Sequence, residues 1–240
     1  MAGLVRVDGE RADKPGTLVA GEAEIDVVPA REYASRGGRK LANALDAFGL
    51  DVTGARAIDV GASTGGFTDC LLQRGAAHVV AVDVGYGQLD WRLRSDPRVT
   101  VLERTNARDL TPEMLPYAPD LVTCDVSFIS VRAIWPAVAR TLDPAYRGLV
   151  LVKPQFEVGP ERVGKGGVVR DPALRAEAVR SVAAAIAREG GRPAGVVDSG
   201  VPGPAGNREL FLLVLGPRAE GPPIDLEDAI ARAIGGSDGA

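Results

Sequence analysis

The sequence predicts an α/β protein with a seven-stranded, mostly parallel sheet. Two observations carry this prediction. Apolar runs of strand length alternate with amphipathic helical runs along most of the chain, as they do in consecutive βαβ units. The last two strand-like runs have no helix between them and are joined by the turn "PGPAGN", which predicts an antiparallel hairpin at one edge of the sheet.

The predicted elements follow one another in a regular order. A helix covers residues 35–48, where Ser35 can cap the first turn and apolar residues recur at helical spacing. The predicted strands are "RAIDVGAS", "HVVAVDVG", "VTVLERT", "DLVTCDVSF", "GLVLVKPQF", "PAGVVDSGV" and "RELFLLVLG". Helices are predicted at "GGFTDCLLQRG", "SVRAIWPAVARTL" and "DPALRAEAVRSVAAAIAREGG". Seven strands that end in an antiparallel hairpin fit the Rossmann-like fold of S-adenosylmethionine-dependent methyltransferases better than an NAD-binding fold.

Three regions are predicted along the chain. Residues 1–28 alternate apolar and polar side chains around an Asp8-Gly9 turn, which indicates a small β region without a core of its own. Residues 29–217 hold all seven strands of the main sheet. Residues 218–240 form a tail with one short helix, "DLEDAIARAI", whose first aspartate is a favourable N-cap.

The composition limits the kinds of site, the location and the partners that we expect for this protein. Two cysteines and one histidine among 240 residues are too few for a disulfide framework or a thiolate metal site, so no metal is expected. Apolar runs are shorter than a membrane span and the N-terminus lacks the apolar stretch of a signal peptide, so we expect a cytoplasmic protein. The net charge of -4 does not indicate a nucleic-acid-binding protein, although binding needs only a local basic face.

Two basic clusters could supply such a face. The first lies at the start of the predicted opening helix, and the second lies in the glycine-rich segment "PERVGKGGVVR". The candidate phosphate-binding residues are Arg31, Arg36 and Arg39 in the first cluster and Arg162, Lys165 and Arg170 in the second.

The segment "AIDVGASTGGFTD" joins a predicted strand to a helix. Its glycines allow a ligand to approach the backbone closely, and a nucleotide-like ligand can sit over the strand end and the helix N-terminus. Asp83 ends the next strand about 20 residues further on, where an acid can hydrogen-bond ribose hydroxyls. Asp109 either contacts an adenine edge or caps a helix. The candidate cofactor-binding residues are Gly61, Ser63, Thr64, Gly65, Gly66, Asp83 and Asp109.

Charged residues stand at the ends of two predicted strands. Asp125 follows the fourth strand and Lys153 the fifth, so both are expected at the carboxyl edge, where open α/β sheets bind ligands. Burial there would favour the neutral amine of Lys153. Cys124 raises the alternative of base methylation through a cysteine nucleophile. Strand alternation points Cys124 away from the face of Asp125, which favours a core cysteine.

Lysine is scarce in this chain. Only Lys14, Lys40, Lys153 and Lys165 are lysines among 28 basic residues. A lysine can lose its proton, whereas an arginine in practice cannot, so Lys40 is a candidate for site chemistry in a helix that otherwise uses arginine. Glu209 begins the last strand, where the alternative is an ordinary strand-start carboxylate.

In order and context, Lys40, Asp125, Lys153 and Glu209 resemble the Lys-Asp-Lys-Glu tetrad of the FtsJ-like ribose 2'-O-methyltransferases. Several segments are similar to one branch, the TlyA family of ribosomal-RNA cytidine 2'-O-methyltransferases, whose members are also described as hemolysins. These segments are "SRGGRKL", "DVGASTGGFTDCLLQRGA", "DVSFIS", "LVKPQFE", "GKGGVVRD" and "GNRELFL".

The resemblance implies S-adenosylmethionine as the methyl donor and cytidine ribose in 16S or 23S ribosomal RNA as the acceptor. It implies catalytic roles for the four tetrad residues, RNA contacts for both basic clusters, and ribosomal RNA or ribosomal subunits as partners, without a membrane. It also implies that residues 1–28 are part of an S4-type RNA-binding domain. The alternatives are an enzyme that methylates a base, an RNA-binding pseudo-enzyme and a hemolysin-type membrane-active protein.

Overall fold

The computed structural model describes residues 5–12, 14, 16–27 and 32–236. The chain divides into two compact units, Met1–Glu32 and Tyr33–Ala240. The division lies close to the boundary that we predict after residue 28. The segment predicted as a C-terminal tail, residues 218–240, falls in the second unit, where Ile230 and Ile234 are buried.

The first unit is a three-stranded antiparallel sheet. Its strands are β1 (Val5–Val7), β2 (Glu10–Arg11) and β3 (Ile25–Val27), in the order β2-β1-β3. Asp8 and Gly9 both have positive φ, 49° and 80°, as a two-residue hairpin turn requires. Among the side chains that the structure describes here, none is buried. The likeness of this unit to part of an S4-type domain stays a prediction.

The second unit contains the remaining strands and the helices of the described chain. The strands are β4 (Arg56–Val60), β5 (His78–Val82), β6 (Val99–Leu102), β7 (Leu121–Cys124), β8 (Arg147–Val152), β9 (Arg192–Asp198) and β10 (Leu210–Leu215). The helices are α1 (Arg36–Phe48), α2 (Gly66–Gln73), α3 (Trp91–Arg94), α4 (Val131–Ala139), α5 (Pro154–Glu157), α6 (Pro172–Arg188) and α7 (Leu226–Gly235).

The seven strands of the second unit form one sheet in the order β6-β5-β4-β7-β8-β10-β9. Strands β4 to β8 are parallel to one another, and β10 runs antiparallel to both of its neighbours, β8 and β9. The predicted seven-stranded, mostly parallel sheet with an antiparallel ending is therefore confirmed. The later strand, β10, lies inside the sheet, and β9 forms the edge.

Apolar side chains fill both faces of this sheet. Consecutive residues of β4 point to opposite sides, so Ala57 joins the cluster with α1, α2 and α3, while Ile58 joins the cluster with α4, α6 and α7. Burial on both faces explains why the parallel strands read as continuous apolar runs rather than alternating ones. The helix predicted from residue 35 begins with Ser35 as its N-cap, whose Oγ accepts a hydrogen bond from Gly37 N.

Two local features differ from the prediction. The strand predicted to continue through "VKPQF" ends at Val152, and Pro154 begins α5 instead. Proline fixes φ and lacks an N–H group, so it suits the first position of a helix better than an inner strand. The short helix α3 was not predicted. It begins after Asp90, whose side chain accepts a hydrogen bond from Arg92 N.

Candidate active site

One edge of the sheet gathers the carboxyl ends of β4, β7 and β8. Strand β10 is antiparallel to β8, so its first residues lie at this same edge, with Leu210 opposite Val152. Glu209 and Lys153 are the adjoining residues just beyond that pair. The antiparallel direction of β10 is therefore the reason that a carboxylate from the end of the chain reaches the ligand edge of the parallel strands.

Lys153 and Asp125 form an ion pair at this edge. Lys153 Nζ lies 2.5 Å from Asp125 Oδ1 and donates a hydrogen bond of 2.9 Å to Ser127 Oγ. Asp125 Oδ1 is itself buried, and the Lys153 ammonium is the charged group beside it. The side chains are 11% and 22% exposed, which leaves both groups accessible from the cavity described below.

Lys40 and Glu209 form a second ion pair, which is buried more deeply. Lys40 Nζ donates to Glu209 Oε2 over 2.5 Å, and the two side chains are 9% and 1% exposed. The other carboxylate oxygen, Oε1, accepts a hydrogen bond of 3.3 Å from Gln155 Nε2. The compact ammonium of Lys40 thus reaches from the second turn of α1 to the start of β10.

The glycine-rich turn after β4 brings two loops into contact. Gly61 has a φ of 86°, and a Cβ atom at this position would lie 2.5 Å from the carbonyl oxygen of Asp125. A side chain here would push these loops apart, so glycine is required. Asp83 holds the turn from the other side, because its carboxylate accepts hydrogen bonds from Ser63 N (2.8 Å) and Gly85 N (2.7 Å).

A cavity of about 290 Å³ faces all four charged residues of the predicted tetrad. Its wall also includes Arg36 and Ser127, together with part of the glycine-rich turn. The residues of the glycine-rich turn that line this cavity are Gly61, Ala62, Ser63, Thr64 and Gly66. The structure therefore brings Lys40, Asp125, Lys153 and Glu209 around one space beside that turn.

A second cavity of about 360 Å³ adjoins the first. The two share wall residues of the glycine-rich turn and of the loop after β7, namely Gly61, Ser63, Asp125 and Ser127. Asp83 and Asn106 supply polar groups to the second cavity, while Val84, Phe128 and Ile134 supply apolar surface. The two cavities therefore lie side by side, and we call the pair the groove, with an apolar end and a charged end.

Two of the predicted cofactor-binding residues lie outside the lining of both cavities. Gly65 is the N-cap residue of α2 with a φ of 93°, and a Cβ atom there would lie 2.3 Å from a side-chain carbon of Leu93. Close packing against α3 therefore explains why position 65 is a glycine. Asp109 is exposed, and the residue that caps its short 3-10 helix is Asn106, whose Oδ1 accepts a hydrogen bond from Arg108 N.

The first predicted basic cluster lies at the start of α1. Arg36 and Arg39 are exposed, and Arg36 also lines the charged cavity. Arg31, which the sequence places in the same cluster, lies outside the described residues.

The second basic cluster lies on a hairpin closed by a bridge between Gly164 and Val168. Lys165 is exposed within this hairpin, and Arg170 is exposed just after it. The guanidinium of Arg162 makes hydrogen bonds of 2.7 and 2.8 Å with Glu177, so part of its charge is already matched.

Sequence reasoning gave no role to several residues of the site. Ser127 contacts Lys153, Gln155 contacts Glu209, and Asn106 lines the apolar cavity. Asn207 holds the base of the basic hairpin, because its side chain accepts from Val169 N (2.9 Å) and donates to Gly167 O (2.7 Å). Motif spacing shows that such polar residues are present, but the contacts depend on how separate loops meet in the fold.

Other chemistries find little support in the described chain. Cys124 is fully buried, and desolvation raises the pKa of its thiol well above the ordinary range, which disfavours the thiolate needed for nucleophilic attack. Among the described residues, no group of three or more His, Cys, Asp or Glu could hold a metal ion. Nor does this part of the chain contain a helix long and apolar enough to cross a membrane.

The seven-stranded sheet with its antiparallel β10, the glycine-rich turn and the groove at the carboxyl edge define a Rossmann-like methyltransferase. The sequence of the second unit agrees with this class. The chain belongs to the FtsJ-like methyltransferase family, which it matches over residues 33–216.

Individual relatives extend the comparison. The chain is 52% identical over 240 residues to "16S/23S rRNA (cytidine-2'-O)-methyltransferase TlyA" from Mycobacterium tuberculosis, covering 97% of this chain and 88% of the relative. A solved protein from Streptococcus thermophilus that carries a hemolysin name is 40% identical, with a TM-score of 0.79, covering 97% of this chain and 86% of the other. An S-adenosylmethionine-dependent methyltransferase from Mesorhizobium loti shares the fold at 17% identity and a TM-score of 0.54, covering 76% of this chain and 100% of the other.

Proposed function

We propose that this protein transfers a methyl group from S-adenosylmethionine to the ribose 2'-hydroxyl of a cytidine in ribosomal RNA. The observation that carries the proposal is the pair of ion pairs, Lys40–Glu209 and Lys153–Asp125, facing one cavity beside a glycine-rich turn. The cytidine and the ribosomal RNA are those for which the 52% identical relative from Mycobacterium tuberculosis is named. A ribosomal substrate also implies a cytoplasmic location.

The groove fits S-adenosylmethionine on the chemistry of its walls. The apolar end offers Val84 and Ile134 to an adenine ring, and the carboxylate of Asp83 can accept hydrogen bonds from ribose hydroxyls. The charged end, beside Gly61 and Ser63, would receive the amino acid part and the sulfonium centre. When bound, this cofactor supplies an electrophilic methyl group.

The chain's own residues must position the ribose hydroxyl and accept its proton. Lys153 Nζ is the candidate base, because it faces the cavity and is held by Asp125 and Ser127. It can accept a proton only as the neutral amine, so methyl transfer should rise with pH. Lys40, tied to Glu209, would orient the acceptor and stabilise negative charge on its oxygen. Alignment of the hydroxyl with the methyl group would contribute the rest of the rate.

The surroundings of the groove favour RNA as the acceptor. The ring of Phe128 lines the apolar cavity and is 93% exposed, so it offers a face to an unstacked base. The guanidinium of Arg104 lies 4.1 Å from the centre of the exposed Tyr86 ring, which adds a second stacking surface after β5. Arg36 and Lys165 would neutralise phosphates.

Two alternatives from the sequence are less well supported. A pseudo-enzyme that only binds RNA has no need for buried lysines matched to carboxylates at a cavity. A membrane-active protein is suggested by the hemolysin name of one relative, but no observation on the described residues favours it.

The test is to map 2'-O-methylcytidine in ribosomal RNA from cells with and without the gene, and to repeat the reaction with purified protein, S-adenosylmethionine and ribosomal subunits. We expect a modified cytidine that depends on the protein. Lys14→Arg, which alters an exposed lysine without changing its charge, is the matched control for variants of Lys40 and Lys153. Absence of any protein-dependent 2'-O-methylcytidine would overturn the proposal.

A further inference from the structure

Glu157 is a buried carboxylate that the proposed reaction does not use. Its side chain is 1% exposed and lies outside the lining of both cavities. Three donors surround it: Ser130 Oγ at 2.5 Å and Val131 N at 2.8 Å, with Arg132 Nε at 3.2 Å. Burial is the main cause that raises the pKa of Glu157, and these donors oppose that effect.

The contacts of Glu157 join two segments that both carry site residues. Glu157 ends α5, four residues after Lys153, and its partners are the first residues of α4, shortly after Asp125 and Ser127. The segments therefore meet at both ends, through Lys153 at the site and through Glu157 away from it. Between these ends the rings of Phe128 and Phe156 lie 5.2 Å apart.

The loop between β7 and α4 needs an external constraint. It has no regular secondary structure. Phe128 within it has a backbone φ of 63°, a conformation that residues other than glycine seldom adopt. Such a conformation persists only when the surroundings hold it. The hydrogen bonds of Glu157 fix the far end of this loop, and the Lys153 contacts fix its near end.

Capping of α4 does not by itself account for the carboxylate. Ser130 Oγ already accepts a hydrogen bond of 3.2 Å from Arg132 N, which is the usual N-cap contact. The Arg132 guanidinium also donates to the backbone carbonyl of Glu157 over 2.9 Å, so this side chain contacts the segment twice. The arrangement cross-links the two segments in addition to capping one helix.

We propose that Glu157 is a positioning residue, which holds the loop after β7 against the segment after β8 so that Lys153 stays in contact with Asp125 and Ser127. The catalytic consequence of this role rests on the proposed function, whereas the geometric claim does not. Without Glu157 the loop would relax, and Lys153 would lose its fixed carboxylate partner.

The scarcity of lysine gives a direct spectroscopic test. The chain has four lysines, so protein labelled with 13C-lysine should give a small set of side-chain signals, which single Lys→Arg variants assign. We expect Glu157→Gln to change the pH titration of the Lys153 signal and to leave the Lys165 signal unchanged. Glu227→Gln is the matched control, because Glu227 is also paired with an arginine, Arg180, but lies on α7.

A second variant covers the case in which Glu157→Gln does not fold. Arg132→Lys keeps a positive charge near the buried carboxylate but removes the guanidinium contacts, and position 132 is 41% exposed, so the fold should tolerate the change. We expect the Lys153 titration to change less in this variant than in Glu157→Gln. Identical Lys153 titrations in wild type and in the folded variants would overturn the proposal.

Kinetics separate this inference from the proposed function. For Glu157→Gln we expect a kcat for methyl transfer lowered by about a hundredfold, with the KM for RNA and the cofactor affinity nearly unchanged. An altered Lys153 titration in a protein without methyl transfer would support the positioning role and refute the proposed function. Full activity of Glu157→Gln would refute the positioning role alone.

Discussion

Lys40 Nζ lies 2.5 Å from Glu209 Oε2, although 169 positions separate the two residues in the chain. The pair joins the second turn of α1 to the start of β10, so it connects the beginning and the end of the methyltransferase unit. Both side chains are nearly inaccessible to water, which makes each charge dependent on the other.

Removal of one partner of this pair should be strongly destabilising. Glu209→Leu leaves the Lys40 ammonium buried without its carboxylate, and we expect a loss of about 3–5 kcal/mol in the free energy of unfolding. The double variant Lys40→Met/Glu209→Leu should recover part of that loss, because no unmatched charge remains. Urea denaturation of Lys40→Met, Glu209→Leu and the double variant measures the coupling free energy between the two charges. Strictly additive losses would show that the charges do not depend on each other.

Lys153→Arg should abolish most of the methyl transfer without harming the fold. Arginine keeps a positive charge beside Asp125 but cannot take a proton in practice. Loss of a general base costs on the order of a hundred- to ten-thousand-fold in rate. Single-turnover methylation of a ribosomal RNA fragment measures this rate, with Lys14→Arg as the control. If the Lys153 variant turns over at the native rate, positioning alone carries the reaction.

Asp83→Asn should weaken the binding of S-adenosylmethionine. The carboxylate shapes the glycine-rich turn through Ser63 N and Gly85 N, and it faces the apolar cavity. Asp109→Asn is the matched control, because Asp109 is exposed and outside that cavity, so its cofactor affinity should equal that of wild type. Calorimetric titration compares the two. A greater effect at Asp109 would restore the adenine contact considered for it from the sequence.

Asp59 should make the stability of the protein depend on pH. Desolvation is the main cause that raises the pKa of this fully buried carboxyl from 3.8 to about 6, against hydrogen bonds from Thr68 and Thr123. The native state thus binds the proton more tightly than the unfolded chain, and the stability from this group is lost as pH rises from about 4 through about 6.

The expected loss at Asp59 is about 3 kcal/mol, at roughly 1.4 kcal/mol for each unit of pKa shift. Asp59→Asn can still hydrogen-bond both threonines but cannot titrate. Denaturation curves between pH 4 and 8 should therefore show a smaller decline of stability for Asp59→Asn than for wild type. Parallel pH profiles of the two proteins would contradict this assignment.

Lys165→Ala should weaken RNA binding and reduce its dependence on salt. Removal of one phosphate contact makes the negative slope of log K for RNA binding against log salt concentration less steep by about 1. Arg162→Gln should have a smaller effect, because Arg162 already pairs with Glu177. Filter binding of a ribosomal RNA fragment over a range of salt concentrations measures both. A larger effect at Arg162 would show that its ion pair opens when RNA binds.

Local patterns were sufficient to predict most of the fold. Helical spacing after Ser35, the alternation of strands with helices and the absence of a helix before the last strand each reflect neighbours in sequence, and the structure agrees with them. The exception at Pro154 has a local cause too. An apolar run that reaches a proline can end in a helix as readily as in a strand, and the pattern does not distinguish these outcomes.

The candidate site was less predictable because its contacts are long-range. The sequence brings two acids and two lysines to one edge, but it does not show that Glu209 pairs with Lys40 and Asp125 with Lys153. The antiparallel register of β10 on β8 brings Glu209 to the same edge as Lys153, but the partner of each acid is decided by where α1 and the loop after β7 meet that edge. In "NARDL" the polar residue that lines the cavity is Asn106, and only the geometry of the short 3-10 helix decides this.

The insertion of β10 between β8 and β9 determines when the site can form during synthesis. The 169 positions between Lys40 and Glu209 take roughly 10–30 s to translate at about 5–20 residues per second. Throughout that interval Lys40 has no carboxylate from β10, and the cavity lacks one wall. The Lys40–Glu209 ion pair, and with it the wall of the cavity, is therefore completed only after β10 has been synthesised and has paired with β8.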